Sequence, residues 1–294
     1  MWPNEDCALK KLIVVTGPTA SGKSDLAVRL ALQHDTEIIS ADSRQIFKGI
    51  PIVTAIPDMS QRMGVTHHLM EMLPLDAYYS AAMFEEDALR IARSIWERHD
   101  VAIVCGGSMM YVDALINGID ELPTVPEAIR ASLADDWSRM GDDWLRDRLR
   151  TLDKEYYAQV DRANMKRVFH AVEICLAAGV PYSSLRTGRR KRRDFEIEKI
   201  VIEMPREQLF DRINRRVMSM VEAGLEEEAR SVYHLRHLNS LNTVGLKEMF
   251  AYFDGEMDFD TAVARIQKNT RVYAKKQLTW LKKSVDTQQA APEE

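Results

Sequence analysis

Gly17-Pro-Thr-Ala-Ser-Gly-Lys-Ser24, directly after the apolar run Leu12-Ile-Val-Val-Thr16, decides the fold class of this chain. The run predicts a buried strand, and the next eight residues have the G-x-x-x-x-G-K-[ST] spacing of a phosphate-binding loop. The two glycines allow backbone N–H groups to turn around phosphate oxygens. Lys23 would add positive charge, Ser24 a hydroxyl ligand for Mg²⁺, and the helix predicted over 25–33 its positive N-terminal end. The stretch therefore predicts a di- or triphosphate ligand.

Composition is ordinary for a soluble globular protein: the 294 residues are 46% hydrophobic and 29% charged, with a formal net charge of −5. No window approaches about 18 consecutive apolar residues, and the N-terminal segment lacks a signal-peptide pattern. Cys7, Cys105 and Cys175 lie far apart without a CxxC pair, which indicates free thiols in a reducing compartment. We therefore expect a cytoplasmic protein with no membrane partner.

Strand-like and helix-like segments alternate from residue 11 to about residue 118. Thr36–Asp42 and Val101–Cys105 predict two further strands, and Ser80 is placed to cap a helix over Ala82–Arg98. This alternation predicts a parallel sheet with helices on both faces.

The pattern becomes purely helical after about residue 122, with helices predicted over 126–140, 143–152 and 165–178, the last stopped at Gly179. Glu196–Glu203 then alternates like a strand that returns to the first sheet.

The predicted fold class is thus α/β: a P-loop parallel sheet core with helices on both faces, plus a helical insertion domain. We assign residues 1–119 and 186–294 to the catalytic core and 120–185 to the insertion. Residues 288–294 are expected to form a frayed polar tail.

Asp42 is the second candidate functional residue. It ends a strand beside the phosphate loop, at the edge where α/β sheets bind ligands. It could ligate Mg²⁺ or act as a general base, although aspartate is also a common turn and capping residue. The polar cluster Asp42-Ser43-Arg44-Gln45 beside a phosphate site favours the functional interpretation.

Gly106-Gly107-Ser108 ends another predicted strand, so its backbone can approach a ligand closely or form an ordinary tight turn. The strand lacks a terminal Asp or Glu, which weighs against an ATP-hydrolysing motor. Arg212 and Arg216, four residues apart on a predicted helix, suit either a phosphate-gripping pair or a solvated face. His67-His68 has no partner at metal-ligand spacing and is interpreted as structural.

Two segments concentrate positive charge. Six of the eight residues 186–193 are basic, and residues 265–283 include seven Lys or Arg and no acid. Each alone is typical of a solvated surface, but together, with Tyr273 and Trp280 interleaved, they indicate an anionic polymer as partner.

The ordered series of motifs resembles one family, the tRNA dimethylallyltransferases, also called tRNA isopentenyltransferases. The resemblance rests on Gly17–Ser24, Ile39–Ile46, Thr54-Ala55 with Pro57, His67–Leu69, Tyr79–Ala81, Gly106–Tyr111, Arg212-Ile213 with Arg216, and Gln277–Trp280. Many families share the phosphate loop, whereas the ordered series is specific.

The resemblance implies transfer of a dimethylallyl group from dimethylallyl diphosphate to N6 of the adenosine at tRNA position 37, next to the anticodon, with release of diphosphate. It implies Mg²⁺ as cofactor, with Ser24 as the metal ligand, and the tRNA anticodon stem-loop as a partner gripped by the insertion domain. We expect a monomer.

The resemblance also implies the residues of each site. Catalytic roles fall on Asp42, Thr19, Ser108 and Arg212, with Asp42 accepting the N6 proton or hydrogen-bonding the amine. Diphosphate binding falls on Gly17, Pro18, Thr19, Ala20, Ser21, Gly22, Lys23, Ser24, Arg212 and Arg216. Binding of tRNA falls on Asp42, Ser43, Arg44, Gln45, Ser108, Arg130, Lys166, Arg167, Val168, Phe169, His170, Gly245, Leu246, Lys247, Glu248, Met249 and Phe250.

Three positions depart from the usual family pattern. Ile56 stands where the family commonly has lysine, Ser108 where it has threonine, and Leu246 where it has tyrosine. These changes remove a basic contact and an aromatic ring but retain the hydroxyl.

Two other function classes compete with this interpretation. In a small-molecule phosphotransferase, the same loop would hold ATP and Asp42 would activate an acceptor hydroxyl. A non-catalytic RNA-binding protein would keep the loop as a relic, which the presence of Lys23, Ser24 and Asp42 disfavours.

Overall fold

The computed structural model describes residues 10–120, 122–283 and, for the backbone alone, 288–290. Its contacts divide the chain into two compact units. The first runs through Ile116 and resumes at Arg192, and the second comprises Asn117–Lys191. Cys105 and Cys175 are free thiols, as expected, while Cys7 lies outside the described residues.

The first unit is built on one parallel six-stranded sheet in the order β3-β2-β4-β1-β5-β6. Its strands are β1 Lys11–Thr16, β2 Ile38–Ser40, β3 His67–His68, β4 Val101–Gly106, β5 Glu196–Ile202 and β6 Gln288–Ala290. In the centre, Leu12 of β1 lies between Ala102 of β4 and Ile197 of β5. The continuous apolar run of β1 follows from this position, because a central parallel strand is covered on both faces.

Helices pack around this sheet, which confirms the predicted fold class. They are α1 Lys23–Gln33, α2 Pro51–Thr54, α3 Met59–Arg62, α4 Ala81–Trp96, α5 Met109–Asn117, α10 Arg206–Glu222, α11 Leu225–Val232, α12 Leu246–Phe253 and α13 Phe259–Leu281. Two 3₁₀ turns, Tyr233–Leu235 and Asn239–Leu241, link α11 to α12. The Ser80 side chain caps α4 by accepting from the Met83 N–H, as predicted.

The second unit contains only helices: α6 Glu127–Leu152, α7 Lys154–Gln159, α8 Met165–Ala178 and α9 Tyr182–Leu185. Gly141, at φ 82° and ψ 178°, breaks α6 between the two helices predicted there. Gly179, at φ 70°, ends α8 in the left-handed conformation that glycine tolerates. Leu145, Leu149, Val168 and Val172 are fully buried, so this unit has its own core.

The frayed tail expected over residues 288–294 is wrong for Gln288–Ala290, which pair with β5 as strand β6, and residues 291–294 lie outside the described residues. Within the described residues, no helix is long and apolar enough to cross a membrane.

Candidate active site

The phosphate loop joins β1 to α1. Gly22 has φ 90° and ψ 18° and stands as the N-cap of α1 without a side-chain cap. The first N–H groups of a helix have no intrahelical partner, so this end can bind an anion. The buried Ser21 Oγ has no hydrogen-bond partner among the described residues. The loop therefore offers unsatisfied polar groups in the place where the motif predicts phosphate.

Lys23 is the charged group of this loop. Its Nζ donates to the Pro18 carbonyl at 2.8 Å. Burial, together with the positive charge of Arg216, lowers the pKa of Lys23 to about 8, while Cys105 and Asp42 oppose the shift. Burial thus disfavours the charged form of Lys23. An anionic ligand such as phosphate, bound beside Nζ, would favour that charged form again.

Arg212 and Arg216 approach the same loop from α10. The Arg212 Nη2 is 3.6 Å from the point where a Cβ on Gly22 would stand. Burial lowers the pKa of Arg216, and the negative charge of Asp42 opposes this. The two arginines line the same cavity, which is where a phosphate-gripping pair would lie, and that role stays a prediction.

Asp42 follows β2 and faces the same cavity. Its Oδ1 accepts from the backbone N–H groups of Arg44 at 2.8 Å and Gln45 at 3.4 Å, which is the turn role that aspartate often has. Its Oδ2 makes no hydrogen bond within residues 10–120 and 122–283. One oxygen thus fixes the side chain in its turn role and leaves the other without a described partner, and the functional role of Asp42 stays a prediction.

Ser108 connects the turn after β4 to the Asp42 turn. Its Oγ accepts from the Ser43 N–H at 2.8 Å, and its own N–H donates to the Ala41 carbonyl at 3.2 Å. The residue is only 7% exposed. A Cβ on Gly106 would lie 2.2 Å from the same Ala41 carbonyl oxygen, so glycine is required where these chain segments meet.

Gln277 is a site residue to which the sequence assigned no role. It is 2% exposed and lies on α13, where its amide reaches both Thr19 of the phosphate loop and Gly107. A signal for it exists in the sequence. Gln277 occupies a core position between the buried Ala274 and Leu281, where a polar side chain needs buried partners.

Lys23, Asp42, Arg212, Arg216 and Gln277 line one cavity of about 640 Å³, whereas the buried Ser108 is not part of its lining. Its charged lining comes from the phosphate loop, Asp42 and α10. Its apolar lining comes from Pro51, Ile52, Ala55, Ile56, Pro57, Met70, Met220 and Ala223. Such a lining suits a phosphorylated ligand that carries a small hydrocarbon group.

Most residues expected to bind tRNA through the second unit have accessible side chains. Lys166, Arg167 and His170 are exposed on α8, whereas Val168 is buried in the core of that unit. Arg130 is held by Glu173, with its Nε 2.9 Å from the carboxylate. Phe169 is partly buried against the same core.

The segment 245–250 is mainly internal. Leu246, Met249 and Phe250 are buried, and the Glu248 carboxylate accepts from the Gly245 N–H at 2.8 Å to cap α12. Lys247 is exposed. The side chains of this segment, apart from Lys247, therefore support the fold of α12.

The histidine pair is held by local hydrogen bonds. His67 Nδ1 lies 2.9 Å from the Val65 carbonyl, and His68 Nε2 lies 2.6 Å from Glu37. The described residues contain no cluster of three or more His, Cys, Asp or Glu that could hold a metal ion. The structural role of the pair stays a prediction, and His67 also lies in the lining of the cavity.

The sequence is similar to those of known proteins over most of its length. A family model described as IPP transferase matches residues 45–284. The tRNA dimethylallyltransferase 1 of Bacteroides thetaiotaomicron is 47% identical over 283 residues, which cover 96% of this chain and 92% of the relative. The tRNA dimethylallyltransferase 2 of Porphyromonas gingivalis is 48% identical over 272 residues, which cover 92% and 91%.

Solved structures of similar fold carry related names. A tRNA isopentenylpyrophosphate transferase from Bacillus halodurans matches with a TM-score of 0.69 at 34% identity, over 96% of this chain and 90% of the other. A eukaryotic dimethylallyltransferase crystallised while acting on tRNA matches with a TM-score of 0.82 at 25% identity, over 96% and 74%.

Proposed function

The chain belongs to the IPP transferase family, that of the tRNA dimethylallyltransferases, and we propose that it prenylates N6 of adenosine 37 in tRNA. The resemblance predicted from its motifs is confirmed, and the chain is a prenyltransferase enzyme. The observation that supports the reaction best is the single cavity in which Lys23 and Arg212 lie with Asp42. That cavity combines groups for an anionic leaving group with a proton acceptor.

On the donor side, the phosphate loop, Arg212 and Arg216 hold the diphosphate of dimethylallyl diphosphate. Their charge stabilises the leaving group as the bond to carbon breaks. Ser24 follows Lys23 at the start of α1 and is exposed, so its hydroxyl would serve as the protein ligand of a Mg²⁺ ion. When bound, Mg²⁺ adds positive charge beside the departing diphosphate.

On the acceptor side, Asp42 positions the adenine amine, and Ser108 holds the Asp42 turn in place by accepting from the Ser43 N–H. The N6 lone pair attacks C1 of the dimethylallyl group, the C1–O bond breaks, and its electron pair leaves with diphosphate. The proton lost from N6 passes to Asp42, whose Oδ2 makes no hydrogen bond to a described residue. An aromatic amine is a weak nucleophile, so alignment and proton removal together lower the barrier.

The tRNA is held outside the cavity by positive surfaces. We assign this role to the second unit, through exposed Lys166, Arg167 and His170, and to the basic face of α13. Adenosine 37 then leaves its stack to reach the cavity, as bases do in other base-modifying enzymes. We propose that the chain acts as a monomer in the cytoplasm.

Incubation with dimethylallyl diphosphate, Mg²⁺ and unmodified tRNA containing adenosine 37 tests the proposal. Mass spectrometry of the digested nucleosides should detect a prenylated adenosine, and a matched tRNA with guanosine at position 37 should give none. A parallel reaction with ATP covers the phosphotransferase alternative. Phosphorylated product from ATP, with no prenylated adenosine, would replace the proposal with that alternative.

A further inference from the structure

The proposed reaction needs a fixed distance between two chain segments. The phosphate loop holds the donor, whereas the Gly107–Ser108 turn, bonded to the Asp42 turn, holds the acceptor. These segments follow different strands, β1 and β4. The pairing of β1 with β4 ends at Thr16 and Gly106, so beyond that pair the relative position of the two segments also depends on side chains that bridge them.

Gln277 makes such a bridge. Its Oε1 accepts from the Thr19 N–H at 2.8 Å, and its Nε2 donates to the Gly107 carbonyl at 2.9 Å. The side chain is almost completely buried, so water does not replace either bond. A primary amide is one of the few side chains that can accept at one end and donate at the other.

The fit around this amide is close. A Cβ on Gly107 would lie 2.4 Å from Gln277 Nε2, which means that even one methyl group would displace the bridge. The same helix carries Tyr273, one turn earlier, on the wall of the cavity. The bridge thus ties α13 to both substrate-holding segments.

We propose that Gln277 is a positioning residue that sets the distance between the diphosphate and the adenine amine. This inference rests on the proposed function and concerns alignment rather than binding. A displacement of about 1 Å between reacting groups can cost about 100-fold in rate. Loss of the bridge should therefore lower kcat much more than it weakens the binding of either substrate.

Gln277→Ala tests this, with Gln267→Ala as the matched control on the same helix, because the Gln267 side chain makes one long hydrogen bond within the described residues, to the Asn214 carbonyl at 3.5 Å. We expect kcat to fall about 10- to 100-fold in Gln277→Ala, with the Kd values of dimethylallyl diphosphate and of tRNA changed less than about threefold. The control should keep wild-type kcat. A wild-type kcat in Gln277→Ala would overturn the inference. An activity loss that comes entirely from weaker substrate binding, with kcat unchanged, would overturn it too.

Gln277→Glu keeps the volume and supplies a readout that a general packing role would not affect. The ionised carboxylate accepts from Thr19 but repels the Gly107 carbonyl, whereas the protonated carboxyl can make both bonds. The ratio of variant to wild-type kcat should therefore rise as pH falls. A ratio that stays constant from pH 8 to pH 5.5 would contradict the bridge.

Gly107→Ala approaches the bridge from its other end. In the double variant, kcat should fall by less than the product of the two single losses, because Gly107→Ala and Gln277→Ala break the same contact. Strict multiplicativity would count against the bridge. If the wild-type enzyme itself forms no prenylated adenosine, it is the proposed function that fails, whereas an active wild type with an equally active Gln277→Ala removes only this inference.

Discussion

Raising the pH through the titration of Lys23 should weaken the binding of dimethylallyl diphosphate. The pKa of Lys23 is lowered to about 8, mainly by burial and further by Arg216. A bound diphosphate favours the charged lysine, so binding raises this pKa and takes up a proton above pH 8. As the pH rises, the free protein loses the Lys23 proton at a lower pH than the ligand-bound protein does. The affinity for dimethylallyl diphosphate falls over that range.

The size of the effect follows from the titration. If only the protonated lysine binds tightly, the apparent Kd grows by a factor of about 1.1 at pH 7 and about 11 at pH 9. The expected loss between these values is therefore about tenfold, or about 1.4 kcal/mol. Titration calorimetry without Mg²⁺ and tRNA measures it directly.

Lys23→Arg is the control, because arginine stays charged over this range while the titration of the ligand is unchanged. Its Kd should vary little between pH 7 and pH 9. In the wild type at pH 9, heats measured in two buffers of different ionisation enthalpy should give uptake of nearly one proton. A wild-type Kd as flat as that of Lys23→Arg would refute the reasoning.

Three further changes test other parts of the structure. Asp42→Asn should lower kcat about 10²- to 10⁴-fold with little change in the Kd of dimethylallyl diphosphate, and an active variant would remove the proton-acceptor role. Hydrogen bonds from His170 and Arg130 outweigh burial and hold the pKa of Glu173 below its ordinary value. Urea unfolding should therefore find Glu173→Gln less stable by about 1–3 kcal/mol at pH 7, with the difference vanishing as pH falls through that lowered pKa; equal midpoints at pH 7 would contradict it. Gly106→Ala should lower Tm, since its Cβ would stand 2.2 Å from the Ala41 oxygen, and an unchanged Tm would mean that this contact relaxes at no cost.

The elements predicted well from the sequence are those with strong local patterns. The motif Gly17–Ser24 and the helix Lys23–Gln33 depend on spacing within a few residues, and the structure has them where the pattern predicted. The helix Met165–Ala178 likewise begins at a capping asparagine and ends at Gly179. Local signals of this kind survive folding because tertiary contacts reinforce them.

The parts that were missed depend on contacts between distant residues. The strands His67–His68 and Gln288–Ala290 are too short to show alternation and exist because a neighbouring strand offers a free edge. The role of Gln277 depends on Thr19 and Gly107, which are remote in sequence. No local pattern could place these groups together.

The strand order of the sheet also determines when the protein can fold during synthesis. β1 pairs with β5, so one edge of β1, which begins at residue 11, stays uncovered until residue 196 and those after it have been synthesised. At ordinary translation speeds that interval is roughly 10–40 s. During it, the nascent chain carries an apolar strand with an open edge, the kind of surface that recruits chaperones or aggregates. Since the second unit has its own core, we expect that Asn117–Lys191 can fold on the ribosome before the sheet is complete.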